Sequence, residues 1–428
     1  MTEAPSSGHA LPPGSLNFNG FSFFNAVSFQ IILGSPVILF AKSLGASSFI
    51  LGVLVSLTPL LTILQLWAAR FLHRTGYRNF VLAGWGSRTI FTLCIACLPL
   101  WPGISDRTRL AWLLVALFGF NSLRGFASGA WLPWLTALVP ENVRGRFLSR
   151  DQAFMHTGCL VALLVSSWVM SGPVVEADYA IVFGIGAVAA VISLWFIRRI
   201  PEAQTQEQRR ESAVLVPWRA MLAYKPFLRL LFFSMLYSVV IGGVGVFTVE
   251  FLVVREKFGE GIILFLGGLS FIGALAGLAL TGPWLDATGS KPWLRRALLL
   301  FELVIGGWCL MSGRMVPAWP VLVGALNFFG GFAGAMFGVA STRIVMGSVP
   351  VMGRNHFFAL YAVVSGLGLG GAPMVWGAVL DTLGTFEVAV GGVSVNRYTI
   401  YFAALILLAV WVRSLAGNLH EGVSKQRP

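Results

Sequence analysis

Apolar residues run along this chain in long uninterrupted stretches separated by short polar turns, without the two-residue alternation that marks barrel strands. A bilayer core of about 30 Å takes about 20 apolar residues in a helix. Runs of that kind fall at 18–41, 48–69, 80–101, 110–138, 151–171 and 178–197, then at 227–252, 261–285, 297–312, 317–346, 355–380 and 398–416. The pattern predicts an all-α polytopic membrane protein with twelve transmembrane helices. One long polar stretch, 198–225, divides six spans from six. Its charged opening reads as a flexible tether, and its end, VPWRAMLAYKPF, as a short amphipathic helix on the membrane surface. The expected organisation is a tail 1–16, a six-helix bundle 17–197, a linker 198–225, a second six-helix bundle 226–417 and a tail 418–428.

The two halves echo each other. Gly76 and Gly289 end matching loop signatures 213 residues apart, against a half-length of 214. Leu44-Gly45 returns as Phe258-Gly259, and VPENVRGRF after span 4 returns as VPVMGRNHF after span 10. Two pseudo-symmetric bundles packed face to face leave a cavity near the membrane midplane, the usual place for a transported solute.

Composition names the solvent. Hydrophobic residues make up 57% of the chain and charged residues 11%, where a soluble domain carries about 25% charged. The 49 glycines suit helices that must approach closely without a hydrophobic force between them. The net charge of +13 is a topology signal: with alternate loops assigned to one side, nineteen Lys and Arg fall on the side of the termini and seven on the other. The positive-inside rule then places both termini in the cytoplasm, with the chain in the cell membrane. Nucleic-acid binding is not expected. The first sixteen residues contain no Lys or Arg, so no secretory leader is expected there. Cys94, Cys97, Cys159 and Cys309 all lie within spans. The Cys94-x-x-Cys97 spacing has no second pair, so neither metal, redox chemistry nor disulfides are expected.

The loops carry a family resemblance. After span 8, GPWLDATGSK presents Gly282, Asp286, Gly289 and Lys291, and it resembles the cytoplasmic loop motif G-x-x-x-D-x-x-G-[RK]-[RK] of the major facilitator superfamily. The counterpart after span 2, ARFLHRTGYR, keeps Arg74, Gly76 and Arg78 but has Ala69 and His73 in place of the glycine and aspartate. VPENVRGRF, with Arg144 and Arg146, resembles the Pro-x-x-x-Arg-Gly-Arg turn of the same superfamily. The resemblance covers 17–417 and implies that fold, with cytoplasmic loops that latch the halves in the outward-open state. In physical terms glycine permits the tight reversal. Asp286 can accept from a helix N-terminus, and Arg74, Arg78 and Lys291 can pair with carboxylates or lipid phosphates. The competing reading is plain topology-setting charge.

Polar groups deep in the spans are the candidates for chemistry, because an ionisable residue at mid-membrane faces a cavity or a partner. Arg88 stands eight residues into span 3 and Arg124 fourteen into span 4, about 12 and 21 Å deep. No carboxylate occupies a matching depth; Glu250 belongs at the outer rim. A guanidinium grips carboxylates bidentately, so Arg124 and Arg88 are candidates for an anionic solute, against a purely structural role on neighbouring carbonyls. The resemblance implies a cavity lined by helices 1, 4, 7 and 10. Asn25, Gln30, Tyr237, Asn327 and Tyr361 are further solute candidates, each with an interhelical hydrogen bond as the alternative. His156 and Glu302 are the proton-coupling candidates. No metal or nucleophile signature appears in the sequence, so an enzyme is not expected, and no cofactor either. The expected function is secondary active transport of a small organic solute, with an anionic or carboxylate-bearing one as the candidate class, by alternating access in a monomer, either coupled to a proton or cation or by facilitated diffusion without an ion. The alternative is an efflux pump for drugs, siderophore-like metabolites or lipid-linked solutes. The glycine-proline pair of drug antiporters appears here only at the outer end of span 5, Gly172-Pro173, which weighs against that alternative.

Overall fold

The computed structural model describes residues 14–65, 67, 76–139, 141–202, 223–348 and 354–419. Twelve helical spans run between a terminal face, where residues 14 and 419 lie, and a distal face. Span 1 is Ser15–Leu33 followed by Ser35–Ser43. Span 2 is Ser48–Leu60 with a 3₁₀ turn to Leu64. Spans 3 to 6 are Tyr77–Cys97, Asp106–Leu138, Glu141–Val169 and Glu176–Ile197. Span 7 is Lys225–Ile241 followed by Val244–Val254. Spans 8 to 12 are Glu260–Thr288, Ser290–Ser312, Pro320–Ser348, Arg354–Leu383 and Arg397–Leu415. Among the described residues ten of these are long and apolar enough to cross a membrane alone. Span 2 is short within them, and span 9 carries Lys291, Arg295, Arg296 and Glu302. The chain is an all-α polytopic protein of two pseudo-symmetric six-helix bundles. Arg74 and residues 203–222, most of the 198–225 linker and the first part of its amphipathic end, lie outside the described residues, while Lys225, Pro226 and Phe227 open span 7. So do the side chains of Arg144, Arg146 and Asp286 and the surroundings of Gly282, although their helices are described.

The repeat is visible in the backbone. Gly76 and Gly289 precede spans 3 and 9 with φ/ψ of 77°/159° and 81°/171°, a shared conformation that L side chains avoid. Two spans expected to be continuous are broken. Span 1 opens at Gly34, where a Cβ would fall on the Gln30 carbonyl oxygen, and Pro36 starts the next segment. Span 7 opens at Gly242-Gly243, at the corresponding place in the second half.

Glycine also sets the tightest helix contact, between spans 8 and 10. A Cβ on Gly273 would fall on the Phe328 carbonyl oxygen, and one on Gly331 on the Ser270 carbonyl oxygen. Without side chains between them, the two backbones gain dispersion contact that lipid cannot supply.

A β-hairpin between spans 11 and 12 was not expected. Strands β1 (Glu387–Val390) and β2 (Val393–Asn396) pair antiparallel, Val390 opposite Val393, around Gly391-Gly392 with φ of 57° and 85°. Its signal is in the sequence: EVAVGGVSVN alternates about the two-residue loop of a primed turn, too short to register among apolar runs of twenty. The hairpin ties down the distal face of the second half. Ser394 N donates to Gly313 O at 2.9 Å, and Asn396 Nδ2 to Ser312 O at 2.7 Å. Asn396 Oδ1 caps span 12 by accepting from the amides of Tyr398 and Thr399. Arg255, at the end of span 7, donates to Glu387 at 2.7 Å.

Two outcomes test this packing. Gly331→Ala must push two backbones apart and is expected to lose about 1–3 kcal/mol of stability, while Gly334→Ala, which meets nothing within 4 Å, is expected to be neutral; thermal denaturation of purified protein reads the difference. Hydrogen bonds from Arg255 and Ser394 hold the Glu387 carboxyl down from 4.5 to about 2. The tie is therefore intact at neutral pH, survives below the pH where a free carboxyl protonates, and is lost as pH falls through about 2. Hydrogen exchange of the hairpin amides should stay slow at pH 3.5 and accelerate near 2, and Glu387→Gln should remove that dependence.

Candidate functional site

The halves meet along two seams. Span 2 lies against span 11 so closely that a Cβ on Gly52 would strike the Pro373 carbonyl and one on Gly377 the Ser48 carbonyl. Span 5 lies against span 8, with Gly267 and Gly268 facing Leu163 and Leu160. There Ser167 Oγ donates to Gly261 O at 2.7 Å.

At the distal corner a third contact forms. Glu250, in the distal segment of span 7, is fully buried; its Oε1 accepts from Lys42 Nζ at 3.0 Å and Ser48 Oγ at 2.7 Å, both in the first half. Arg397 Nη2, 3.5 Å away, adds a second cation from its own half. Glu250 Oε2 is buried and meets no partner among the described residues. Beside it, the carboxylate of Asp381 in span 11 accepts from the amides of Ser48 and Phe49 at 3.0 and 2.9 Å, capping span 2 across the interface. A carboxylate at a helix N-terminus satisfies orphan amides and meets the positive end of the helix dipole. Tyr179 donates likewise to Glu260 between spans 6 and 8. The distal face is thus closed by polar ties between the halves.

The deep cations lie in the first half. Arg88 is 3% exposed, and its Nη2 donates to Asn25 Oδ1. The same oxygen accepts from Trp85 Nε1 at 3.2 Å. The Arg88 guanidinium carbon stands 5.0 Å from the Trp85 ring and 5.1 Å from the Phe120 ring. Arg124 donates through Nη2 to Thr58 O at 2.7 Å and through Nε to Asn121 Oδ1 at 3.3 Å, with Phe29 at 5.7 Å. Aromatic faces and neutral oxygens are the only partners of these two arginines among the described residues. Neither has a carboxylate among those residues. Arg124 keeps Nη1, and Arg88 keeps Nε and Nη1, without an acceptor there. Cation–π contact offsets part of the desolvation of a guanidinium, about 2 kcal/mol or somewhat more at a desolvated site. It does not neutralise the charge.

The remaining expected residues are dispersed. Asn25 joins Arg88, while Gln30 folds back over Gly34 at the break in span 1. Tyr237 stacks on Phe337 at 3.6 Å with Phe301 at its edge. Tyr361 packs against the main apolar core, and Asn327 donates to Val323 O one turn back in its own helix. His156 stands on the seam of spans 5 and 8, its ring 5.9 Å from that of Phe271 and its Nδ1 buried without a partner among the described residues. Glu302 accepts from Arg413 Nε at 2.8 Å, a tie between spans 9 and 12 within the second half. At the loop motif, span 3 starts after Gly76 with the amides of Tyr77 and Arg78 donating to the Glu202 carboxylate at 3.1 and 2.9 Å. That is the chemistry anticipated for Asp286, supplied by a residue not anticipated. Thr58, Asn121, Asp151 (which accepts from Ser22) and Asp381 were also missed. Each is an ordinary polar residue in sequence and becomes special only through a partner more than sixty positions away.

The sequence profile of the Major Facilitator Superfamily matches residues 19–314. The chain belongs to the major facilitator superfamily. It is a multi-pass membrane transporter and not an enzyme. Similar proteins include the alpha-ketoglutarate permease of Escherichia coli, 31% identical over 122 residues, or 28% of each chain. The niacin transporter of Acinetobacter baylyi is 33% identical over 124 residues, 28% of this chain and 26% of that one. The chain thus matches about a quarter of the length of these curated relatives. The crystal structure of a D-xylose-proton symporter superposes with a TM-score of 0.76 at 15% identity, covering 96% of this chain and 99% of that one.

The distal corner yields an outcome of its own. Glu250→Gln keeps the shape but removes the charge that Lys42 and Arg397 face, a loss of about 1.5–3 kcal/mol for charge-assisted bonds. Spin labels at Arg107, in the first turn of span 4, and at Arg314, in the turn after span 9, both exposed on the distal face of opposite halves, should show a longer-distance population enriched about 10- to 100-fold in the variant.

Proposed function

We propose that this transporter carries a small organic anion bearing a carboxylate, by alternating access, with Arg124 as its anchor and Arg88 as a second cation. One observation carries the reading: two guanidiniums are buried in the first bundle without a carboxylate among the described residues. A buried charge left uncompensated in a low-dielectric interior is expensive, and an anionic solute compensates it. Unused N–H groups on Arg124 and Arg88 suit the fork geometry of a carboxylate. The relatives support the same class, since alpha-ketoglutarate and niacin are both carboxylates at neutral pH.

The conformation supports one state of the cycle. With the distal face latched by Glu250 and Asp381, the solute path opens toward the terminal face, which the basic loops make cytoplasmic. The units that rock are the bundles 17–197 and 226–417, and one copy of the chain suffices. Importing an anion against an inside-negative potential costs about 2.3 kcal/mol per charge per 100 mV, so proton symport is the driving mode we favour. His156 is its candidate carrier, because it stands on an inter-half seam with Nδ1 unpartnered among the described residues. Glu302 serves the tie to Arg413.

Thermal-shift measurements with alpha-ketoglutarate, nicotinate and xylose test the solute class, since a ligand that binds the folded state raises its midpoint. The two carboxylates should raise it and the sugar should not. Arg124→Ala should weaken carboxylate binding by about 10- to 100-fold, in line with about 1.5–3 kcal/mol for a charged hydrogen bond. Arg124→Lys, which can still reach Thr58 O, should fold as wild type and lose most of that affinity. Stabilisation by xylose alone, or unchanged carboxylate binding in both variants, sinks the reading.

A further inference from the structure

Where spans 7 and 12 end at the terminal face, Arg229, Phe232, Leu415, Asn418 and Leu419 surround a pocket of about 320 Å³. No acid lines it. Arg229 is exposed, and no acceptor or carboxylate among the described residues engages it. A second cation stands close by: Arg295 Nη2 lies against Gly417, the middle residue of the turn whose last residue, Asn418, lines the pocket. Arg413 is already held by Glu302 and does not compete.

The pocket is layered as a phospholipid is. Arg229 is four residues into span 7, about 6 Å from its end, which is headgroup depth. One turn deeper, Phe232 is half exposed and meets Trp411 edge-to-face at 6.0 Å. Trp411 is half exposed as well, an amphipathic ring of the kind that settles at the membrane interface. A wall of this kind faces acyl chains, while the rim above it is cationic.

We propose that this pocket is a binding site for an anionic phospholipid, its phosphate on Arg229 with Arg295 adding attraction and its chain along Phe232 and Trp411. A free phosphate ion would use the cations but not the wall; a zwitterionic lipid would use the wall but bring its own cation to two others. The lipid joins the inner end of span 7 to that of span 12. The site does not depend on the identity of the transported solute.

The experiment uses the full chain in neutral detergent, with phosphatidylglycerol, phosphatidylcholine and inorganic phosphate as probes, read by native mass spectrometry and by thermal shift. Phosphatidylglycerol should be retained and should raise the melting midpoint, and the other two should do neither. Arg229→Ala with Arg295→Ala should weaken phosphatidylglycerol retention at least tenfold, Arg229→Lys should keep most of it, and Arg314→Ala on the distal face should change nothing. Equal retention of both lipids, displacement by inorganic phosphate, or wild-type retention by the double variant would overturn the proposal. Because Arg229 and Arg295 are exposed, folded yield is expected to be unchanged, and circular dichroism checks it.

Discussion

Hydrocarbon accepts no hydrogen bonds, so every charge this chain carries below the headgroups has to be met by another part of the same chain or by cargo. Glu250 shows the rule at full strength. Its carboxylate has no exposure, and the groups that meet it come from spans 1, 2 and 12. Because two of those spans belong to the opposite bundle, neutralising one buried charge also brings the halves together on one face. Asp381 repeats the arrangement with backbone amides in place of ammonium. Closure of the distal face and solvation of its acids are the same set of bonds.

The deep arginines are the counterpart. Arg88 and Arg124 receive neutral oxygens and aromatic faces, which orient a guanidinium without discharging it. The first bundle therefore holds positive charge in reserve, whereas the second offers stacked rings such as Tyr237 on Phe337. On the proposed reading, such an asymmetry within a duplicated fold divides the labour: one half supplies charge, and the other supplies shape.

Spans, repeat and family were legible because each rests on local sequence: a bilayer fixes helix length, and Gly76 and Gly289 mark their turns by a backbone conformation that only glycine adopts freely. Arg88, Arg124 and Asn25 were legible as deep polar residues for the same reason. What pairs with what was not. Lys42 and Glu250 are 208 positions apart, and Ser48 and Asp381 are 333, so nothing local records their meeting. Glu302 stood out as a titratable group and proves to be held by Arg413. The hairpin was legible in principle, yet a ten-residue alternation disappears when the eye is set to apolar runs of twenty.

The interruptions of spans 1 and 7 carry a mechanical meaning. At Gly34 and at Gly242-Gly243 the regular ladder of amide bonds is interrupted, and a helix bends most easily where its ladder is already open. The short outer pieces, nine and eleven residues long, hold Lys42 and Glu250 respectively. They are levers with their own pivots. Unlatching can begin with a swing of two small rods, and the glycine-locked seam of spans 8 and 10 can ride along as a stiff block.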